Sequence, residues 1–490
     1  MAKRLTKHIP EEVSRVAKAL NKGGFSAYLV GGCVRDLILG KTPRDWDFTT
    51  NATPEDIQHI FPDSVYENTF GTVGVKTDSR DESLRIVEIT PYRTETSYSD
   101  NRHPDNVSFS KKLEDDLARR DFTINSLAYD IEKGEIVDLH RGQQHIKDKI
   151  IRTVGKADDR FKEDALRLLR AVRLSAELGF GIEKTTHEAI QKNASSLKNI
   201  SQERIRDEFR KIINSGNPSL GLEVSRETGL LKHFLPEMLE TVGVDQGGAH
   251  KYDVWDHLLG SLEHAAKKEY PFHVKLAALF HDIGKPASRR SGKKKKWSFY
   301  GHEVIGAKMT KKILERLKFS REIIDKTTTL VRWHMFFADT EQITYTAIRR
   351  MIRNVGQDMI WDLMNLRACD RMGMGRPKED PYRLRKYHAM IEEVMSDPVS
   401  VGMLKVSGDT LIKKLHVKPG KEIGWVLHAL LEEVLVDPGK NDEQYLLKRA
   451  GELFALPAKD LEPLGRKGKE VQKEKEQDKI EGIRKKHWVE

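Results

Sequence analysis

Two aspartates one residue apart, Asp45 and Asp47, constrain this chain more than any other feature. They close the stretch 28–50, YLVGGCVRDLILGKTPRDWDFTT. Tyr28, Leu29 and Val30 read as a short buried strand. Gly31 and Gly32 follow, where the backbone takes positive φ or approaches something closely. Cys33 to Leu39 suits a short helix that Gly40 can end. Asp45-Trp46-Asp47-Phe48 reads as a second strand, whose two-residue period places both carboxylates on one face. Two such charges repel unless a cation lies between them, and carboxylate oxygens with substrate phosphates suit Mg²⁺. The two glycines then place backbone N–H groups, at the helix N-terminus, against a triphosphate, and Arg35 neutralises one phosphate.

The form GGCVRD followed by RDWDF resembles the nucleotidyltransferase motif of the DNA polymerase β superfamily, in its tRNA nucleotidyltransferase and bacterial poly(A) polymerase branch. That resemblance implies a mixed sheet with flanking helices, an α+β head. Val73 to Thr77 and Leu84 to Thr90 read as further strands. Glu88, on the second of these, is the third carboxylate that polymerase chemistry uses as metal ligand or base, with Asp121 as its competitor. Residues 119–125, RRDFTIN, are expected to open a helix. Their two arginines form either a solvated cluster or a triphosphate clamp. The resemblance makes Arg120 a nucleotide contact and Asp121 and Asn125 sugar or support residues. Tyr98 to Val107 is polar and proline-containing and resembles the family's flexible loop. After the strand Glu135–Asp138, Arg141 and His145 stand where the family has glycine and aspartate.

Phe161 to Leu174 is expected to form one continuous helix. In it Asp164 and Arg167, three apart, are surface neighbours. They form either a salt bridge or a hydrogen-bonding template for a base. A carboxylate accepts and a guanidinium donates, which complements cytosine and adenine and repels uracil and guanine. Residues 163–167, EDALR, resemble the family's base-recognition motif. Arg170 is expected near the nucleotide. Arg173, placed opposite Asp164 by the 100° step, has a supporting or phosphate role. Ser201 to Ile213 is a charged helix whose arginines bridge helices or touch RNA.

A second constellation follows. His257, His281-Asp282, His302, His334 and Asp370 fall on successive helices, and imidazole with carboxylate suits a first-row transition metal with open positions. The order H…HDIGKP…H…H…D resembles the HD phosphohydrolase superfamily. It implies a central site of His257, His281, Asp282 and Asp370, with His302 and His334 extending it or holding a second ion.

The 490 residues allow three or four domains. We divide them into a head (1–155), a helical neck (156–245), an HD domain (246–390) and a helical tail (391–490). The net charge of +10 favours a polyanionic partner, and Lys293 to Lys296 offers either a solvated loop or an RNA backbone contact. From Gly465 onward the chain is either a long solvated helix or disordered. No apolar run reaches membrane-spanning length, the N-terminus lacks a secretory pattern, and Cys33 and Cys369 are too few and too far apart for a disulfide framework, which suits a reducing cytoplasm. The resemblance implies addition of C, C and A to tRNA from CTP and ATP. The alternatives are poly(A) synthesis, addition of A alone, or a phosphohydrolase acting on RNA ends or nucleotides.

Overall fold

The computed structural model describes residues 5–66, 71–96, 106–247, 251–291, 297–336, 344–396 and 399–489. Most of the loop 98–107 and the basic run 293–296 lie outside them. The chain divides into two compact units, Met1–His334 with Asn365–Pro377, and Met335–Met364 with Lys378–Glu490.

The first unit begins with a mixed seven-stranded sheet. Its strands are β1 (Tyr28–Val30), β2 (Asp47–Thr50), β3 (Ser64–Tyr66), β4 (Val73–Lys76), β5 (Ile86–Pro91), β6 (Leu127–Asp130) and β7 (Glu135–Asp138). Their order is β3-β4-β5-β2-β1-β6-β7, and only β2 and β5 run parallel. Leu29, Phe48, Val87 and Ile89 alternate into the core, so the intervening residues of β2 and β5 share the other face. A helix over Gly32–Ile38 follows β1 directly, and Gly31 before it has φ +84°. Gly40, just past its end, has φ +71°, which relieves the strain an L side chain would bear there. Thr53 caps the Pro54–Ile60 helix through a reciprocal bond with Asp56.

Residues 119–125 do not open a long helix. Only one 3₁₀ turn, Thr123–Asn125, intervenes before β6, because β6 claims the following residues for the sheet. Asp138 caps the Gly142–Lys147 helix by accepting the N–H groups of Gly142 and Gln143 at 2.7 and 3.0 Å. Arg141 adopts φ +59°, a conformation that glycine takes without strain.

The neck helix expected over 161–174 is interrupted. One helix covers Ala157–Glu163 and another Leu166–Leu178, with Asp164 extended between them at φ −141° and ψ 108°. The Asp164 Oδ1 accepts the Leu166 N–H at 3.0 Å, so the aspartate starts the second helix instead of continuing the first. Leu166–Leu178 packs on Gln202–Ile213 and Pro218–Glu227.

Further helices, Val254–Lys267, Phe272–Phe280, His302–Arg316 and Arg321–Trp333, gather around a buried polar centre. A Cβ on Gly284 would lie 2.3 Å from the carbonyl oxygen of His302. Only glycine lets the turn after His281-Asp282 press against that helix.

The second unit is helical. Its core lies between Gly408–Leu415, Lys421–Val436, Glu443–Phe454 and the start of Ala458–Lys486. The charged C-terminal stretch is a 29-residue helix packed on Lys421–Val436, which settles the choice between helix and disorder.

Candidate active sites

In the head, the geometry builds outward from β2. Asp45 lies in the bend before the strand and Asp47 is its first residue. Asp47 is in register with Glu88 of the parallel strand β5, and partners in register project from the same face. Glu88 therefore stands beside Asp47, whereas the two-residue period expected over 45–48 does not reach Asp45, which lies outside the strand. Asp121, the competing third carboxylate, is committed elsewhere. Arg170 donates to its Oδ2 through Nε at 2.8 Å and Nη2 at 2.6 Å, and its Oδ1 accepts the Phe122 N–H at 2.8 Å. Although burial opposes it, the Arg170 and Arg167 charges hold the Asp121 carboxyl far below the usual carboxylate range.

Gly31 shows how closely the parts converge. A Cβ built there would lie 3.1 Å from Arg120 Nη1 and 3.9 Å from Asp47 Oδ2. The N–H of Gly31 is spent on the Leu127 carbonyl at 3.2 Å, so the groups at the helix start are those of the next turn, beginning with Gly32. Asp116 fixes both arginines of 119–125: it lies 2.6 Å from Arg119 Nη2 and 3.1 Å from Arg120 Nη2 and is fully buried. Sequence reading passed over it. Its position four before Arg120 in an acidic run was the available signal.

Arg35 does not simply point at a phosphate. It is buried, donates from Nη1 to Asn125 Oδ1 at 2.7 Å and from Nε to Asp36 at 2.9 Å. Asn125 in turn donates to Asp121 Oδ1 at 3.3 Å. A polar chain therefore runs from Asp36 through Arg35, Asn125 and Asp121 to Arg170 on the neck helix.

The neck residues are held in pairs. Asp164 pairs with Arg204, and Arg167 with Glu163. Arg173 donates to Glu208 at 2.7 Å and Glu177 at 2.8 Å. The argument that set Arg173 opposite Asp164 fails, because Asp164 lies outside the helix; both reach the Gln202–Ile213 helix, through Glu208 and Arg204. The charged pattern of that helix did not reveal which partners it would meet.

Burial pushes the Asp47 carboxyl up, against the attraction of Arg120 and with the repulsion of Asp45, from 3.8 to about 6. An acid with a raised folded pKa stabilises the fold below its unfolded pKa, and that contribution disappears as pH rises through about 6. Stripped of metal, Asp47→Asn should therefore be more stable than the parent at pH 8 by about 3 kcal/mol. The gap should close below pH 4, as chemical denaturation at the two pH values would show.

The second centre is almost wholly buried. Asp282 stands between two histidine pairs. Its Oδ2 lies 3.2 Å from Nε2 of His257 and 3.4 Å from that of His281; its Oδ1 lies 3.1 Å from His302 and 3.6 Å from His334. Asp370 Oδ1 joins the first pair at 3.3 and 3.7 Å. Nδ1 of His281, His302 and His334 meets the main-chain carbonyls of Ala278, Phe299 and Val331 at 3.0, 2.7 and 2.7 Å. In neutral rings this places the proton on Nδ1 and turns each Nε2 lone pair inward. The Nε2 atoms of His302 and His334 are 3.3 Å apart, so two lone pairs face each other unless a proton or cation separates them. That donor set fits metal ions, with the Asp282 carboxylate shared between two triads, His257–His281–Asp282 and Asp282–His302–His334. Burial alone would lower the His281 pKa, but Asp282 and Asp370 overcome it and raise it to about 9; a cation would take the place of that proton. Lys285 Nζ, 2.5 Å from both Asp282 Oδ2 and Gln246 Oε1, completes the surroundings. All six expected ligand residues thus meet in one place.

Comparison with known proteins gives a consistent picture. Residues 27–152 match the Poly A polymerase head domain, 179–241 the probable RNA and SrmB-binding site of polymerase A, and 254–374 the HD domain. The chain is 32% identical to the CC-adding tRNA nucleotidyltransferase of Thermus thermophilus, covering 83% of this chain and 89% of that one. It is also 32% identical to the CCA-adding enzyme of Ligilactobacillus salivarius, covering 92% and 99%. Among solved structures, the Bacillus stearothermophilus CCA-adding enzyme in complex with CTP is similar with a TM-score of 0.60 and 26% identity, covering 90% of this chain and 98% of that one.

Proposed function

The chain belongs to the CCA-adding tRNA nucleotidyltransferase family, and from that premise we propose that it extends tRNA 3′ ends with C, C and A, using CTP and ATP. The observation that supports this reading is Asp47 at the start of its strand, in register with Glu88, with Asp45 in the bend just before it and Arg120 Nη1 close to Gly31. Asp45 and Asp47 would hold divalent cations, with Mg²⁺ the natural choice for oxygen ligands and triphosphate. When bound, the cations lower the pKa of the attacking 3′-hydroxyl and stabilise the departing pyrophosphate. Glu88, in register with Asp47, completes the cation shell or takes the hydroxyl proton. Arg120, braced by Asp116, neutralises the triphosphate beside the first turn at Gly32. Arg35 orients Asn125, and Asp121 fastens the nucleotide-sugar region to the neck through Arg170. Asp164 accepts from the exocyclic amino group of cytosine or adenine while Arg167 donates to the ring acceptor beside it.

The buried histidine centre is a phosphohydrolase site. His257, His281, Asp282 and Asp370 would hold an ion, and His302 and His334 would extend that site or hold a second one. Nitrogen-rich ligation favours a transition metal, which supplies Lewis acidity toward a phosphoester. The helical tail provides further tRNA contact.

Incubation with tRNA lacking its 3′ end, Mg²⁺ and each NTP separately, then mixed, tests the main reading. Incorporation of CTP and ATP that stops after three nucleotides is expected. The Thermus thermophilus relative, named for CC addition, makes a second reading specific: a stop after two cytidines. Long A tracts, A alone, or phosphate release without incorporation would contradict both.

A further inference from the structure

Asp164 lies outside the helix that carries Arg167, so something other than helical geometry must aim it. Its Oδ1 accepts the Leu166 N–H at 3.0 Å and Arg204 Nη1 at 3.3 Å, and its Oδ2 accepts Arg204 Nη2 at 2.8 Å. A carboxylate has about four acceptor directions. Among the described residues three are filled, and the one left is on Oδ2. We propose that Arg204 is a positioning residue for base selection, holding the Asp164 carboxylate in one plane with a single acceptor for the incoming base. This rests on the reading of Asp164 and Arg167 as the base template.

The other half of the template is held in the same manner. Arg167 Nη1 donates to Glu163 Oε2 and to the Arg160 carbonyl at 3.2 Å. Arg160 Nη1 also donates to Glu163 Oε2, at 3.0 Å, and to the Arg119 carbonyl at 3.2 Å. Each template member thus has its own oppositely charged partner. This matters because an aspartate and an arginine this close would otherwise spend their acceptor and donors on each other. Arg204 comes from the Gln202–Ile213 helix, forty residues along the chain from Asp164, and its two parallel N–H groups fix orientation as well as charge. A lysine supplies the charge without the fork. A carboxylate freed from that fork can swing away from the base edge and onto Arg167, where it neither accepts from an amino group nor repels a carbonyl.

Single-nucleotide incorporation kinetics on tRNA lacking its 3′ end, with CTP, ATP, UTP and GTP in turn, test this on Arg204→Ala, Arg204→Lys and Asp164→Ala. The ratio of kcat/KM for CTP over UTP should fall about 10-fold or more in Arg204→Ala, with Arg204→Lys recovering only part of it. A merely structural role would lower all four nucleotides together and leave the ratio intact. If Arg204→Ala fails to fold in a thermal melt, Arg204→Lys decides: full parental selectivity would overturn the proposal. Selectivity kept in the Arg204 variants but lost in Asp164→Ala would overturn this inference alone. Selectivity kept in Asp164→Ala as well would overturn the template reading beneath it.

Discussion

Asp47→Ala should abolish nucleotide incorporation, lowering kcat by at least about 10³-fold with a smaller change in tRNA affinity, and Asp45→Ala should behave similarly. The size follows from what is lost. Without one carboxylate the cation pair has no fixed seat, and both the activation of the hydroxyl and the neutralisation of pyrophosphate go with it. The fold should survive, because Asp47 contributes an unfavourable buried charge: its carboxyl is pushed up to about 6, chiefly by burial. The check is a single-turnover assay with labelled CTP beside a thermal melt. Glu88→Ala should cost less than Asp47→Ala if it only completes the cation shell, and a similar amount if it takes the proton.

The second large effect belongs to the histidine centre. Asp282→Ala should eliminate metal retention there and lower phosphoester hydrolysis by at least about 10²-fold, since both triads share that residue. CCA addition should stay within about twofold of the parent, because the two constellations use different residues throughout. Elemental analysis after gel filtration, with phosphodiester hydrolysis and CTP incorporation run on one preparation, measures all three. Chelation should lower the melting temperature of the parent. Ions present at 100 times their dissociation constant would stabilise the native state by about 2.7 kcal/mol.

Much of this was legible in the sequence because the signals are local. A positive-φ glycine at position 31 and the two-residue alternation of β5 act within a few residues of themselves. The cluster of four histidines and two aspartates was legible for another reason: six ligand-type residues on successive helices, with an adjacent His-Asp pair, are hard to explain singly. What sequence could not give was partner choice across long separations. Arg204 takes Asp164, and Asp121 takes Arg170. Each pairing depends on how elements pack. The break at Asp164 was hidden because the apolar spacing of 161–174 runs straight across it, while one side-chain bond to the Leu166 N–H starts a new helix. The C-terminal helix was obscured by its charge. It is anchored where a Cβ on Gly468 would lie 2.1 Å from the His428 carbonyl oxygen, a contact that composition cannot reveal.

The claim on which the rest depends is that Asp45 and Asp47 seat divalent cations beneath a bound triphosphate. Mn²⁺ electron paramagnetic resonance with a non-hydrolysable CTP analogue tests it directly, using Asp282→Ala protein so that the histidine centre is silent. Mn²⁺ bound at the head and coupled to the analogue's phosphorus nuclei is expected, and the signal should vanish when Asp45→Asn and Asp47→Asn are added. The same coupled Mn²⁺ signal persisting in that variant would contradict the account.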